Sequence, residues 1–179
     1  MALEVEDGTG RADAESVLSV DGVDAMAVRE GWVDWPAAGQ QVPAKEAALR
    51  KANRWAESRY GARLRSSVAS WVAFYALPLS PAQARLFPMS SYAYPDGRTL
   101  TAGAWLPREW ALVVGLAARR AFLGTLSPDL KRGGQVIQKV VGPLSTTWNA
   151  GAPAETAFPE IDDAAAPLWR GVGVIAVKG

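Results

Sequence analysis

Between Pro43 and Tyr60 the chain carries its clearest pattern: Leu49, Ala52, Trp55, Ala56 and Tyr60 recur at spacings of three and four. That spacing lines them up on one face of a helix, while Lys45, Glu46, Arg50, Lys51, Asn53, Arg54 and Glu57 cover its other faces. Pro43 suits the first turn of such a helix and Gly61 its stop. A stripe of this kind is stable only when laid against other elements, so the chain is expected to build a core of packed helices.

The neighbouring segments supply them. Ser19 can cap a helix over Val20 to Glu30, with Asp21 and Asp24 near its positive end and Gly31 at its stop. Ser67 to Leu77 forms a shorter helical run before Pro78. Pro107 opens a third major helix ending near Gly124; apart from Arg108, Glu109, Arg119 and Arg120 it is apolar nearly all round, which marks it as the central buried helix. Residues 78–106 are broken repeatedly by proline and glycine. Ser80-Pro81 with Ala82 to Arg85 suits one helical turn there, and Pro95-Asp96-Gly97 suits a tight turn. Ser127-Pro128-Asp129 begins another short turn of helix. The β-prone runs Val136–Val141 and Leu144–Trp148 flank Gly142-Pro143 as a hairpin near 135–149, and Phe158–Trp169 adds a last short helix interrupted at Pro167. The expected fold is mainly α, a small helical bundle with a β-hairpin and extended N- and C-terminal arms. Residues 1–18 form an acidic arm, 19–170 a single domain and 171–179 an apolar tail.

Composition narrows the chemistry. The 179 residues include no histidine and no cysteine. That removes Ser-His-Asp and Cys-His catalysis, zinc-finger sites and disulfide scaffolds together. Acidic pairs such as Asp162-Asp163, or Glu155 with Glu160, show no glycosidase or metal spacing, and neither Gly8-Thr9-Gly10 nor Gly133-Gly134 is long enough for a phosphate loop. No enzyme, metal or cofactor is expected. The first residues, Met-Ala-Leu-Glu-Val-Glu-Asp, lack the basic and apolar regions of a signal peptide. The longest apolar run, Trp110 to Ala118, is far short of the ~20 residues a membrane helix needs, so a cytosol-like compartment and no membrane partner are expected.

Charge is balanced overall, at +1, but unevenly placed. Residues 1–34 hold nine acidic groups against Arg11 and Arg29, and residues 45–65 hold seven basic groups against Glu46 and Glu57. One reading joins subunits through these surfaces, with Asp21 and Asp24 of one copy meeting Arg50, Lys51 and Arg54 of the next. The other is a solvated helix face with a neighbour in its own chain. The same basic cluster with Trp55 and Tyr60 could hold single-stranded nucleic acid through phosphate contacts and base stacking, although both aromatics fall on the apolar stripe. Of the eight tryptophans, Trp55, Trp71 and Trp110 sit in helical patterns and suit the core. Trp32, Trp35, Trp105 and Trp148 sit in loops or the hairpin, where they anchor an interface or pack on their own domain. The tail Gly171–Gly179 either adds a strand to a partner's sheet edge or folds back on its own hairpin. Its docking residues would be Val172, Val174, Ile175 and Val177, with Val136, Ile137 and Trp148 of the hairpin.

In order, Asp7 to Gly10 (D-G-T-G), Ala14, Ser16, Ser19 and Asp24, then Lys45 to Gly61 (K-E-A-A-L-R-K-A-N-R-W-A-E-S-R-Y-G) form an ordered set of motifs. L-P-x-x-W before the apolar helix, L-S-P-D-L-K-R-G-G, and V-G-P-L-S with N-A-G-A-P continue it over roughly residues 5–170. In this the chain resembles the phage and prophage proteins labelled DnaT-like single-stranded-DNA-binding proteins and, more distantly, the helical head-tail connector (adaptor, head-completion) proteins of long-tailed phages. The connector branch implies a structural protein of the virion neck, assembled in the host cytoplasm. It would form a ring, usually of twelve copies, beneath the portal, extend the DNA channel and dock a neck or tail-terminator protein. Its partners would be the portal protein, further copies of itself and packaged DNA passing through without sequence-specific binding. The expectation taken forward is this connector role, with a single-stranded-DNA-binding, primosome-like replication protein as the alternative.

Overall fold

The computed structural model describes residues 2–69, 78–89, 92, 94–124, 126, 138–141, 144–147 and 158–169. Helix α1 spans Val20–Glu30 and is closed at both ends by the expected residues. The Ser19 hydroxyl accepts from the Gly22 N–H at 3.0 Å, and Gly31 takes the left-handed conformation, φ 68°, donating to the Ala27 and Val28 carbonyls.

Helix α2 spans Val42–Ala69, so Gly61 is not its stop. Glycine ends a helix by adopting positive φ, and Gly61 does not; it sits buried inside the helix, where Leu64 extends the inner stripe by one more turn. Burial of Leu49, Ala52, Ala56, Tyr60 and Leu64, each fully enclosed, outweighs the ~1 kcal/mol that glycine costs mid-helix. Residues 67–69 of the expected separate run thus belong to α2, while its remainder and Trp71 fall outside the described residues.

Helix α3, Arg108–Leu123, is the central element the sequence suggests. It buries Trp110, Val113, Val114, Ala117 and Ala118 completely, packs along α2 on one side and meets α4, Pro159–Ala165, on another. A single 3₁₀ turn, Ala166–Leu168, follows α4, with Pro167 in its first positions. In the long loop, Tyr94-Pro95-Asp96-Gly97 closes as a turn with Gly97 at φ 84°, and the Gly97 N–H bonds the Tyr94 carbonyl at 2.9 Å. Ser80–Gln83 forms a turn rather than a helical segment.

Residues 2–18 contain no helix, yet they are tied down rather than free. Val5 bridges Ser16, and the Glu6 N–H bonds the Ser16 carbonyl at 2.8 Å. The buried Glu6 carboxylate accepts the backbone N–H groups of Gly8, Gly10 and Arg11 at 2.9–3.0 Å, so the D-G-T-G loop wraps its own chain's anion. Gly8 is required there: at φ 96° an added Cβ would lie 2.7 Å from the Trp105 ring.

Residues 127–158 form a second compact unit. In it β1, Gln138–Val141, pairs antiparallel with β2, Leu144–Thr147, in the register Gln138↔Thr147 to Val141↔Leu144. Among the described residues the architecture is therefore mainly helical with one hairpin. The turn expected at Ser127-Pro128-Asp129 lies outside the described residues.

Candidate nucleic-acid interface

One side of α2 is consumed by the core, and its flanks are consumed by neighbours. Lys45 and Asn53, both expected on outward faces, are fully buried. The Lys45 ammonium donates to Asp24 Oδ1 at 2.6 Å and to the Ala37 carbonyl at 2.9 Å, while Trp35 Nε1 donates to the same Asp24 oxygen at 2.6 Å. Asn53 donates to Ser16 Oγ and the Leu49 carbonyl and accepts from the Val17 N–H, pinning the N-terminal segment onto α2. Arg50 pairs with Glu15 at 2.7 Å, which holds that carboxylate below its usual range. Glu57 pairs with Arg85.

These contacts engage part of the expected subunit surface within the chain. Asp24 is buried in a pair with Lys45 and cannot reach another chain, and Arg50 is engaged by Glu15 of its own. Asp21, Lys51 and Arg54 stay exposed. Trp32 and Trp35 pack into their own domain, at 8% and 5% exposure. Val136, Ile137, Trp148, Val172, Val174, Ile175 and Val177, the residues expected to dock a partner, lie outside those whose side chains are described.

What remains on α2 is a face of different character. Lys51, Arg54, Ser58 and Ala62 form its solvent ridge at helical spacing. Beside the ridge, Trp55 is half-buried and Arg59 lies across it, the guanidinium carbon 5.5 Å from the Trp55 ring and 5.7 Å from that of Tyr60. Tyr60 stacks in turn on Trp169 of the C-terminal turn at 5.4 Å and 24°, and Arg63 lies 5.8 Å from the Trp169 ring. Trp55 and Trp169 thus each carry an arginine on the ring, with the fully buried Tyr60 packed behind as the link between them. From Lys51 to Arg63 this runs about 18 Å along the helix at 1.5 Å per residue.

Asp162 closes the inner edge of the ledge. It accepts from the Tyr60 hydroxyl at 2.7 Å and meets Arg59 at 3.5 Å. Burial, followed by the bond to Asp162, pushes the Tyr60 hydroxyl's pKa well up, so it remains a neutral donor. Burial opposes the charge on Arg59, but Tyr60 and Asp162 more than compensate and keep it protonated. Among the described residues no group of three or more His, Cys, Asp or Glu is placed to hold a metal ion, and no helix is long and apolar enough to cross a membrane. The helical pattern reveals the charge of this face; the Trp169 end of the ledge, brought in from more than a hundred residues away, leaves no trace in it.

The family model described as Putative DnaT-like ssDNA binding protein matches residues 1–178. Neither a curated protein nor a solved structure matches the chain. The match overturns the head-tail connector expectation, and with it the virion-neck role. It falls on the single-stranded-DNA side of the resemblance. Matched over all but its last residue, the chain belongs to the DnaT-like ssDNA binding protein family.

Proposed function

We propose that the protein binds single-stranded DNA along the outer face of α2, as a replication-type binding protein rather than an enzyme. The observation that carries this reading is the part-exposed rings of Trp55 and Trp169, each with an arginine (Arg59, Arg63) against it and the buried Tyr60 behind, beside the exposed Lys51 and Arg54. Phosphates follow the cations, and unpaired bases lie on aromatic surface that paired bases in a duplex cannot reach. Net charge of only +1 argues for a short contact rather than a long electrostatic track.

Lys51, Arg54, Arg59 and Arg63 give about four phosphate contacts, for which log K against log salt has a slope of about −3 on single strands. Fluorescence anisotropy with a labelled oligo-dT over a salt series measures it. The double variant Lys51→Ala/Arg54→Ala should flatten the slope to about −1.5. Trp55→Leu should weaken binding by roughly fivefold or more while leaving the slope unchanged, because it removes stacking and no charge. A chain that does not bind oligo-dT, or a double variant with the parent's slope, sinks this reading.

A further inference from the structure

Helix α1 presents to solvent a face that matches itself. Its exposed residues are Asp21, Gly22, Ala25, Val28 and Arg29, with Glu30 at the end, while Val23, Asp24, Met26 and Ala27 face inward. Val28 is 85% exposed and nearby Val33 98%, a large apolar area to leave in water on so short an element. A groove of about 600 Å³ runs beside the helix, lined by Ala25, Val28, Trp32, Val33 and Pro36 among others.

Counted outward from Ala25, the face is complementary under reversal. Four residues to either side stand Asp21 and Arg29, of opposite charge, and three to either side stand Gly22 and Val28, small against large. A second α1 laid antiparallel, with the two-fold axis at Ala25, sets each Asp21 against the other copy's Arg29 and each Val28 over the other copy's Gly22. Ala25 meets Ala25 on the axis, where small side chains let the helices approach closely. In the isolated chain Arg29 has only its sequence neighbour Glu30, at 3.2 Å and largely exposed, a contact that costs little to exchange.

We infer that α1 is a homodimer interface, and that the occupant of this face is a second copy of the chain in antiparallel register. A surface with the same patch on both partners and self-complementary charges is what a closed two-fold dimer requires. The helix is about 16 Å long, so even with the groove the contact falls at the small end of specific interfaces, where association is weak. The inference stands apart from the DNA-binding reading and survives or fails without it.

Sedimentation equilibrium of the full chain from roughly 5 to 500 µM tests it, a range chosen to bracket weak association. The expected result is a monomer–dimer equilibrium with no larger species. Asp21→Arg and Arg29→Asp should each weaken dimerisation roughly tenfold, since symmetry alters both ion pairs at once, and the double swap should restore it. Asp21 also sits in the first turn of α1, so circular dichroism checks that its variants fold. Ala25→Arg, at an exposed mid-helix position, should leave a folded monomer. The chain has no cysteine, so Ala25→Cys gives a second readout: on the axis it can oxidise to a disulfide with its own copy, whereas Ala62→Cys on α2 should not. A monomer at every concentration, a dimer that survives Ala25→Arg, or single swaps that change nothing would each overturn the inference.

Discussion

Replacing Lys45 with methionine tests the packing logic of the helical unit most directly. The Lys45 side chain is 0% exposed and that of Asp24 7%. The ammonium reaches Asp24 Oδ1 at 2.6 Å and the Ala37 carbonyl at 2.9 Å, joining α1, the following loop and α2 at one point. Lys45→Met keeps the volume and removes the cation, leaving a buried carboxylate supported only by the Trp35 indole N–H. Breaking one side of a buried pair typically costs ~3–5 kcal/mol. At ~2–4 °C per kcal/mol for a chain of this size, the melting temperature should fall by about 6–20 °C. Lys45→Met/Asp24→Leu should recover part of that loss. It removes the stranded charge, and its remaining defects are an unpaired Trp35 N–H, worth ~1–3 kcal/mol, and the part-buried Ala37 carbonyl that loses its donor. Thermal melts followed by circular dichroism on the four proteins of the cycle give the coupling. A Lys45→Met variant within ~1 kcal/mol of the parent would mean that the carboxylate is hydrated after all and the node is not closed.

Three further outcomes follow from the same contacts. Asp34 accepts from Arg119 Nε and Nη2, at 2.6 and 2.9 Å, and this bonding holds its carboxyl below the usual range. Its folded pKa being depressed, the stability it contributes is complete above the ordinary Asp value and is lost as pH falls through the folded one. Urea melts should therefore show parent and Asp34→Asn well separated at neutral pH and converging below about pH 4. Gly8→Ala should lower stability by about 1–3 kcal/mol in the same assay, since φ 96° and the Trp105 ring both oppose a Cβ. Asn53→Ala strands the Val17 N–H and removes one of the bonds to the Ser16 hydroxyl, and hydrogen exchange should show residues 4–18 losing protection before α2 and α3 do.

The helices that announce themselves do so through local chemistry. Ser19 and Gly31 cap α1 through bonds to their near neighbours, and Pro107 and Gly124 stand at the ends of α3, where proline's fixed φ and missing N–H suit a start and Gly124 donates to the Arg120 carbonyl. Gly61 misleads for the complementary reason: whether a glycine stops a helix depends on what its next turn can bury, and Leu64 finds a fully enclosed site. Lys45 and Asn53 are illegible in the same way. A polar residue beside an apolar stripe looks solvated unless its partner is known, and their partners lie 21 and 37 residues away, in α1 and in the N-terminal loop. The charge imbalance between residues 1–34 and 45–65 is visible at once, but its meaning changes with the contacts. Asp24 and Glu15 answer Lys45 and Arg50 within the chain; the first pair is buried and the second is engaged at the surface, which leaves Lys51 and Arg54 outward.

That pairing connects the fold to the proposed DNA face. α2 is clamped along its inner stripe by α3, at Lys45 by α1 and at Asn53 by the N-terminal segment, so the helix bearing Lys51, Arg54, Trp55 and Arg59 has little freedom to adjust. The Arg59 guanidinium is already held between two rings and bonded toward Asp162, and Tyr60 is already stacked on Trp169. A strand arriving at this face therefore orders few protein side chains, and ordering is a principal cost of association. The same rigidity explains why so few cations could suffice. With about four phosphate contacts, affinity must come from stacking on pre-set aromatic surface, so loosening the clamp should weaken binding without altering its salt slope. Asn53→Ala, which touches no face residue, separates these two quantities: lower affinity at constant slope supports a preorganised ledge, whereas a changed slope would show that the cations themselves move.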